Sequence, residues 1–385
     1  MDNSSLNVVY IGAPSFPIGG ATTKRRRYMV DYMNNHGIQS HYLVCDFKQR
    51  GKRQNATSGK YGLCDYYDIT PLAERKLFCC FYKEGKKHLN GWYTKGKRNI
   101  LIFGTILSIF EFPLYSFARK LGYTIVFDQV ETSYLQNGKS SLLHRLNLML
   151  SEYVSDKAYR HSAAFVISKN LLHEVQEKYP ERQICLLQNS TPQLSKESRK
   201  TLNKPLKVLY SGTYAHKDGV EYLLKGVIEA HDSGADIELT LLGKGAKRDM
   251  SVLDIAKNKE YVHYLGFVSD EDLKRLLIEH DVLCMTRCNS RFANYGFPFK
   301  LSEYLSTGNI VLATAVGDVC DYVKDKESAY IVPPEDSHAI SETLHFIISN
   351  PKEALSVARG GLAAMQQYFS IEKVGEKFIA FLSRI

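Results

Sequence analysis

The sequence lacks the patterns by which cysteine usually supports a structure. None of its eight cysteines belongs to a CxxC pair or has the Cys/His spacing of a zinc site. Cys284 and Cys288 lie in an apolar run, where a reduced thiol behaves as a small hydrophobic group. We therefore expect free thiols, a reducing and cytoplasmic compartment, and no structural zinc.

Long apolar runs and low-complexity tracts are also lacking. The first residues show neither a basic n-region nor a cleavage site, so we expect no secretory signal. The stretch 100–117 is apolar but contains Glu111 and Pro113, and we interpret it as a buried strand followed by a buried helix rather than a membrane span. With 385 residues, 44% of them hydrophobic, the chain can fill the cores of two domains.

Basic residues are concentrated in the first half of the chain. Residues 1–200 contain 29 Lys/Arg and 16 Asp/Glu, whereas residues 201–385 contain 21 and 25. This split favours two domains with different partners, the first suited to an anionic surface such as a membrane, although an ordinary solvated surface explains it equally well. No nucleic-acid-binding motif is present, and we expect no nucleic-acid partner.

Apolar runs that alternate with helical patterns organise both halves. In the first half strands are predicted at 6–11, 41–45, 100–104, 124–130, 163–168 and 184–190. In the second half they are predicted at 206–212, 237–243, 261–268, 281–286, 309–317 and 329–333. Continuous apolar strands of this kind indicate parallel sheets covered by helices on both faces. A polar linker at 191–205 separates the halves, and a ligand is expected at the carboxyl ends of the strands, between two doubly wound α/β domains.

The segment NYGFPFKLSEYLSTGN, residues 294–309, has the residue types of a nucleotide site. Pro298 suits a first helical turn, whose unpaired backbone N–H groups attract an anion such as a diphosphate, and Lys300 adds a positive charge near that helix start. Glu303 offers two acceptor oxygens, which suit the vicinal hydroxyls of a ribose. A surface helix with an i,i+3 charge pair is the alternative interpretation.

This segment and its surroundings resemble the second domain of the family-four retaining glycosyltransferases of the GT-B fold, the glycosyl transferases group 1. The resemblance runs through VLYSGTYAHKDGVEYLL, IELTLLGKG, YLGFVSDEDLKRLL, DVLCMTRCN, GFPFKLSEYLSTGNIVLATAVGD and AYIVPPED, over about 180 residues. It implies two Rossmann-like domains facing a cleft. The first, at 1–195, binds the acceptor, and the second, at 196–365, binds the nucleotide-sugar. A C-terminal helix, 366–385, then returns to the first domain.

The resemblance also implies which residues bind the donor. Glu303 takes the position of the ribose ligand, while Tyr295 replaces the family's first glutamate and Pro298 replaces a glycine. The remaining donor positions implied are Gly19, Gly20, Thr213, Gly266, Phe267, Gly296, Phe297 and Lys300. Thr213 stands where the family has an arginine and Lys217 lies one place early, so we expect Arg287 to supply the missing charge.

Catalysis in this family is thought to use the donor phosphate as base, so the resemblance implies no protein nucleophile, no cofactor and no metal. Lys217, Arg287 and Lys300 would neutralise the leaving diphosphate. Asp128 and Glu131, after a predicted strand, are candidates to orient the acceptor or, alternatively, helix-capping residues. The DxD-like Asp270-Glu271-Asp272 follows Ser269 and is interpreted as a helix cap rather than a metal site.

The function implied is transfer of a sugar, with retention, from a nucleotide-diphosphate donor to a glycan or lipid-linked acceptor in surface-polysaccharide synthesis. UDP is favoured over GDP as the carrier. We expect a cytoplasmic protein in peripheral contact with the inner face of an anionic membrane. The alternatives are a nucleotide-sugar 2-epimerase of the same fold, a non-catalytic nucleotide-sugar or glycan-binding protein and, more remotely, a dehydrogenase.

Overall fold

The computed structural model describes residues 5–12, 15–45, 58–69, 79–130 and 142–385. It divides into two compact units: unit 1 comprises Met1–Ser190 and Ile371–Ile385, and unit 2 comprises Thr191–Ser370. Each unit is built on one mostly or wholly parallel sheet, as the apolar runs predict.

Unit 1 contains eight strands among its described residues. They are β1 (Leu6–Ile11), β2 (Ser40–Val44), β3 (Ser58–Tyr61), β4 (Cys64–Asp68), β5 (Arg98–Phe103), β6 (Thr124–Gln129), β7 (Ala163–Val166) and β8 (Ile184–Leu186). Its first helices are α1 (Ala21–Asn35), α2 (Cys79–Trp92), α3 (Phe112–Leu121), α4 (Leu142–Tyr159) and α5 (Lys169–Lys178).

The sheet of unit 1 has the order β3-β4-β2-β1-β5-β6-β7-β8, and β3 alone runs antiparallel to its neighbour within it. Every residue of β1 is buried, because the strand lies in the middle of a sheet with helices on both faces. The chain extends the sheet in one direction from β1 and in the other from β5. The strand order therefore reverses between β1 and β5, which is where parallel α/β sheets form a crevice.

Unit 2 has six parallel strands and seven α-helices. The strands are β9 (Leu206–Gly212), β10 (Ile237–Gly243), β11 (Val262–Gly266), β12 (Val282–Met285), β13 (Ile310–Thr314) and β14 (Tyr330–Val332). The helices are α6 (Val220–Asp232), α7 (Asp270–Glu279), α8 (Arg291–Tyr295), α9 (Phe299–Leu305), α10 (Val319–Tyr322), α11 (Ser337–Ser349) and α12 (Pro351–Tyr368).

The sheet of unit 2 has the order β11-β10-β9-β12-β13-β14. Val208 of β9 pairs with Leu239 of β10 on one side and with Val282 of β12 on the other, and all three side chains are fully buried in the core. Here the strand order reverses between β9 and β12, so the loops that follow Gly212 and Met285 border the crevice of this unit.

Polar groups tie the predicted linker to unit 2. Asp281, fully buried, forms an ion pair with Arg199 at 2.6 Å. Its Oδ1 also accepts from the backbone N–H of Asn203 at 3.0 Å, and its Oδ2 from the N–H of Lys207 at 2.8 Å. A buried carboxylate is stable when it has such partners, and these contacts make residues 199–207 an ordered part of the unit.

The C-terminal helix α13 (Ile371–Leu382) belongs to unit 1. Phe378 and Phe381 of α13 both pack on Phe165 of β7, with ring centroids 5.1 Å apart in each pair. The segment before it pairs with the start of unit 2: Thr191 donates to the carbonyl of Phe369 at 2.9 Å and forms a parallel bridge with Ser370.

Two regions of unit 1 differ in detail from the sequence prediction. The apolar stretch 100–117 contains the buried strand β5, as predicted, but its helix begins only at Phe112, with Pro113 in the first turn, where a proline is tolerated. Residues 58–68, for which the sequence patterns predict no strand, form a hairpin that turns at Gly62. Within the described part of the chain, no helix has the length and apolarity needed to cross a bilayer.

A substitution at Gly360 would test how closely α12 packs against its neighbours. A Cβ built there would lie 1.9 Å from the carbonyl oxygen of Glu327, so we expect Gly360→Ala to lower the free energy of unfolding by about 1–3 kcal/mol. Gly91→Ala is the matched control, since a Cβ on that helical glycine meets open space and alanine favours a helix by up to about 1 kcal/mol. Urea unfolding measures both; equal midpoints for the two variants would contradict the contact.

Candidate functional site

Two loops meet at the crevice of unit 2. The loop after β9 contains a 3-10 turn, His216–Asp218, and the loop after β12 contains Thr286–Cys288. Cys288 donates its backbone N–H to the carbonyl of Lys217 at 3.1 Å, and the Thr286 hydroxyl donates to the carbonyl of Gly219 at 3.2 Å. Gly219 has φ +66°, and a Cβ there would lie 1.7 Å from the Thr286 carbonyl oxygen, so this close approach requires glycine.

Asp218 is a buried carboxylate between these loops. The Thr213 hydroxyl donates to its Oδ2 at 2.5 Å, and the Lys217 ammonium lies 3.5 Å from its Oδ1. Thr213, predicted at the position of a missing arginine, thus orients an acid rather than offering a charge itself. Both interactions stabilise the ionised carboxylate in its buried position.

Lys300, in the first turn of α9, points toward the end of β9. Its ammonium donates to the Tyr210 hydroxyl at 3.0 Å and lies 4.3 Å from the centre of the Tyr210 ring. A Cβ on Gly212 would lie 2.0 Å from the Lys300 Nζ, so the lysine occupies space that only a glycine leaves open.

The surroundings of Lys300 lower its pKa. Burial lowers the pKa of Lys300 to about 8; Asp218 opposes that shift, whereas Arg287 and Lys217 add to it. A bound anion would relieve the repulsion among these cations.

Lys217, Arg287 and Lys300 form what we call the cationic cluster. The Lys217 ammonium lies 4.4 Å and the Arg287 guanidinium 5.6 Å from the centre of the same ring, Phe292 of the segment before α9. Both act electrostatically on Lys300. The structure therefore brings together the three cations that the sequence analysis assigned to a diphosphate, and this is the arrangement a multiply charged phosphate ligand needs.

Glu303 lies one turn after Lys300 in α9, is partly exposed and raises the pKa of Lys300. Tyr295 ends the short helix α8, with the Arg291 guanidinium 4.9 Å from its ring centre. Gly296 follows in an extended conformation. The Phe297 side chain is buried against Tyr322, 5.2 Å between ring centroids, so only its backbone is a candidate for ligand contact.

Aromatic side chains extend from the cationic cluster along the same edge of the sheet. Tyr210 contacts Tyr214, which contacts Tyr264 of β11, with ring centroids 5.9 Å apart in each pair. Gly266 ends β11 with φ +67°, and Phe267 after it is 78% exposed, with the Lys244 ammonium 5.3 Å from its ring centre. An exposed ring in this position is a surface on which a planar base can stack.

In unit 1 the loop that precedes α1 is tightly constrained. Gly20 is the N-cap of α1, and a Cβ there would meet nothing within 4 Å, whereas one on Gly19 would lie 2.4 Å from the Thr23 hydroxyl oxygen. That hydroxyl donates to the carbonyl of Ser15 at 2.9 Å. The role of Gly19 and Gly20 at a donor diphosphate stays a prediction.

Asp128 is not placed to orient an acceptor. It lies inside β6, is 6% exposed and accepts three hydrogen bonds from Arg25: both of its oxygens accept from Nε at 3.2 Å, and Oδ1 also accepts from Nη2 at 3.0 Å. Arg25 also donates to the carbonyls of Leu187 and Gln188. The pair joins α1, β6 and the chain after β8, so we assign Asp128 a role in the fold. The other predicted carboxylate, Glu131, lies outside the described residues.

Glu111 is a carboxylate that the sequence analysis did not select for function. One of its oxygens accepts from the Ser108 N–H at 2.9 Å, and its own N–H donates to the Ser108 hydroxyl at 3.2 Å. Its other oxygen would be 3.7 Å from a Cβ on Gly12, which follows β1 at the crevice of unit 1. Burial raises the pKa of Glu111, as is common for carboxyl groups at functional sites. The spacing Ser-x-x-Glu, typical of reciprocal hydrogen bonding between the two residues, was the pattern by which the sequence could have indicated Glu111.

Comparison with known proteins explains these arrangements. Residues 205–350, the greater part of unit 2, match the family model described as "Glycosyl transferases group 1". The match lies wholly within unit 2, so the likeness to this family is a property of that unit. The cationic cluster and Glu303 all lie within the matched segment.

Curated relatives of this glycosyltransferase chain carry the names of sugar transferases. The alpha-D-kanosaminyltransferase of Streptomyces kanamyceticus is 20% identical over 70% of this chain and 73% of its own length. The phosphatidyl-myo-inositol mannosyltransferase of Mycobacterium leprae is 26% identical over 47% of this chain and 46% of its own, so the chain spans about half of that relative.

Solved structures show the same two-unit architecture. The sucrose-phosphate synthase of Thermosynechococcus elongatus superposes with a TM-score of 0.72 at 15% identity, covering 98% of both chains. The Anabaena protein HepE in complex with UDP gives a TM-score of 0.70 at 12% identity, over 98% of this chain and 100% of that one. The chain has the GT-B fold, with two Rossmann-like units.

The DxD-like run of this glycosyltransferase chain begins α7, as predicted for a cap. Ser269 is the N-cap, its hydroxyl accepts from the Asp272 N–H at 3.0 Å, and Arg275 pairs with the Asp272 carboxylate at 3.3 Å. Among the described residues, no group of three or more His, Cys, Asp or Glu has the arrangement of a metal site.

The contrast between the two carboxylates of unit 1 is testable. Asp128→Asn leaves the buried Arg25 without its counter-charge, so we expect it to lower the free energy of unfolding by about 3–5 kcal/mol. Glu111→Gln is the matched control, because glutamine serves equally well in a capping box, and its unfolding midpoint should stay near that of the native chain. Chemical denaturation measures the free energy of unfolding of both variants. A native-like value for Asp128→Asn would restore Asp128 as a functional candidate.

Proposed function

We propose that this protein transfers a sugar from a UDP-sugar to a glycan or lipid-linked acceptor in surface-polysaccharide synthesis, with retention of configuration and without a metal ion. The observation that carries the proposal is the cationic cluster at the strand-order reversal of a unit that matches the glycosyl transferases group 1. Its three positive charges lie at the edge of the sheet where the strands end, and together they suit a ligand with more than one negative charge, such as a diphosphate.

The cationic cluster would act most strongly on the leaving diphosphate. Negative charge accumulates there as the glycosidic bond breaks, and fixed cations in a partly buried site stabilise that charge more than they stabilise the intact donor. No protein nucleophile is needed for this role. The three cations also take over the charge compensation for which other transferases recruit a metal ion, which supports the proposal of a metal-independent enzyme.

The remaining parts of the donor have candidate partners in unit 2. Glu303, one turn from Lys300 on α9, would accept hydrogen bonds from the ribose hydroxyls. The exposed ring of Phe267, together with the turn at Gly266, offers a stacking surface for the base two strands away from β9. A UDP donor is favoured because HepE, which shares the fold, has been solved with UDP and with UDP-glucose.

On the acceptor side we assign Glu111 in place of Asp128. Its carboxyl group lies at the crevice of unit 1, and a raised pKa suits a group that exchanges a proton with a hydroxyl. The excess of basic residues in the first half of the chain, 29 against 16 acidic ones, suits an acceptor at the anionic inner face of a membrane, with the protein otherwise cytoplasmic.

Glu303 gives the first test. Removing a charged hydrogen-bonding partner should weaken UDP binding by about 10- to 100-fold, equivalent to about 1.5–3 kcal/mol, in Glu303→Ala. Isothermal calorimetry with UDP, GDP and NAD measures this and identifies the base. Glu342→Ala, an exposed glutamate on α11, is the control and should bind as the native chain does. If no nucleoside diphosphate binds to the native chain, the donor site is refuted.

The pKa of Lys300 predicts how UDP binding depends on pH. Only the protonated lysine attracts the diphosphate, so affinity is full below the free-state pKa of about 8 and declines as pH rises through it. We expect UDP to bind about tenfold more weakly at pH 9 than at pH 7. Lys300→Gln should bind more weakly at every pH and without this slope, whereas Lys217→Gln should keep a slope that begins at higher pH, because Lys217 lowers the pKa of Lys300. A native profile flat across this range would contradict the assignment.

Sugar transfer itself separates the proposed enzyme from its alternatives. A panel of UDP-sugars with glycan and lipid-linked acceptors should give an α-linked product from an α-linked donor, and the rate should persist in EDTA. Glu111→Gln should reduce transfer without changing UDP affinity. Donor epimerised in the absence of acceptor would indicate a 2-epimerase, and UDP-sugar binding without turnover for any acceptor would indicate a binding protein.

A further inference from the structure

One face of α4 in unit 1 exposes an unusual number of apolar side chains. Leu146, Met149, Leu150 and Tyr153 are 52%, 66%, 43% and 58% exposed. Their spacing of three, four and seven residues places all four on the same side of the helix. Single exposed apolar residues are ordinary on a protein surface, but a contiguous stripe of them marks an interaction site.

The same face becomes basic toward the end of the helix. Lys157 follows Tyr153 at a spacing of four residues and continues the stripe, and Arg160 lies one residue beyond the end of the helix. They line a surface pocket of about 520 Å³ together with Arg119, Lys120 and His161. The pocket thus gathers four permanent positive charges and one histidine beside an apolar stripe, and the described residues that line it include no carboxylate.

Two of the basic side chains that line the pocket contact aromatic side chains. The Lys157 ammonium lies 4.4 Å from the centre of the Tyr153 ring, at the boundary between the apolar and the basic parts. Arg119 donates to the Tyr115 hydroxyl at 3.4 Å. The acid packed closest is Asp156, which pairs with Arg160 at 3.2 Å and with Lys178, outside the pocket, at 3.0 Å.

We propose that this face of α4, with the pocket, docks on an anionic lipid bilayer, the pocket holding a lipid phosphate and the apolar stripe entering the headgroup region. The inference rests on the proposed function in one respect, since it identifies the surface by which that enzyme reaches a membrane. A helix with an apolar face and a cluster of Lys/Arg, lying in the plane of the interface, is the usual form of such contacts.

A bilayer accounts for the order of side chains along the helix better than a protein partner does. From Leu146 to Lys157 the helix rises about 16 Å, so the stripe and the pocket can touch one flat surface together. Tyr153 lies between them, and tyrosine is favoured at the level of lipid headgroups. The basic excess of the first half of the chain adds a longer-range attraction to the same anionic surface.

Vesicle flotation tests the proposal with the full-length chain. Neutral phosphatidylcholine vesicles are compared with vesicles containing 30% phosphatidylglycerol, over a series of lipid concentrations; the fraction is about that of an anionic leaflet. The apolar variant is Leu146→Ser with Met149→Ser, and the basic variant is Arg119→Glu with Lys157→Glu. Matched controls are Leu63→Ser with Ile278→Ser, both exposed elsewhere, and Lys352→Glu with Arg359→Glu on α12.

The native chain should prefer anionic over neutral vesicles by tenfold or more. The basic variant should lose about tenfold or more of its affinity for anionic vesicles, and the apolar variant about tenfold, while both controls partition as the native chain does. Free inorganic phosphate at millimolar concentration should compete only weakly, because one ion lacks the apolar contribution. A native-like urea unfolding midpoint verifies that each variant folds, and UDP calorimetry on every variant keeps the tests separate: lost UDP binding with retained flotation refutes the proposed function alone.

Three results would overturn the proposal. The first is equal partition of the native chain into neutral and anionic vesicles, and the second is native-like flotation of both α4 variants. The third is a dimer, seen by analytical ultracentrifugation without lipid, that Leu146→Ser with Met149→Ser dissociates; the face would then be covered by a second copy of the chain.

Discussion

The carboxylate of Asp218 allows three basic side chains to remain close together in unit 2. Lys217, Arg287 and Lys300 repel one another, and burial already works against the charge on Lys300. Asp218 offsets only part of this repulsion, because it is one negative charge against three positive ones, and its own position depends on Thr213 and Lys217. A site left with excess positive charge favours a ligand that carries more than one negative charge, and the loops that hold Asp218 are fixed by a glycine contact. Fold and ligand preference therefore depend on the same buried group.

Much of this architecture could be predicted from residue patterns alone. Strands such as β1 and β13 are buried on both faces, so they appear in the sequence as unbroken apolar runs, and the polar linker is equally plain. The hairpin of β3 and β4 could not be recognised, because β3 alternates between exposed and half-buried residues, β4 is half-buried in its middle, and neither strand contains an apolar run. The helix predicted within 100–117 had no assigned starting residue, because the apolar run gives no sign of where the strand ends and the helix begins. Pro113, in the first turn of α3, marks that start.

The candidate site was predictable where residue type and order determine the chemistry, as for Lys300 and Glu303. It was not predictable where the surroundings of a side chain decide its role. Asp128 and Glu111 are both carboxylates of unit 1, yet a partner 103 residues away in sequence neutralises Asp128, whereas Glu111 lies at a crevice. Phe297 similarly appears in a motif but is buried in an aromatic group that includes Phe369, 72 residues later. Such long-range contacts leave no local trace in the sequence.

The pairing of Thr191 with Phe369 and Ser370 affects how the gene for this chain could recombine. Unit 2 is one uninterrupted segment whose two ends are hydrogen-bonded neighbours, inserted into a unit 1 that is made of two separate pieces. A segment with adjacent ends can be exchanged, deleted or duplicated with little disturbance of the host, because only a short connection is needed to close the gap. Unit 2 could thus be exchanged as a whole by recombination at these two points alone, with both pieces of unit 1 left intact.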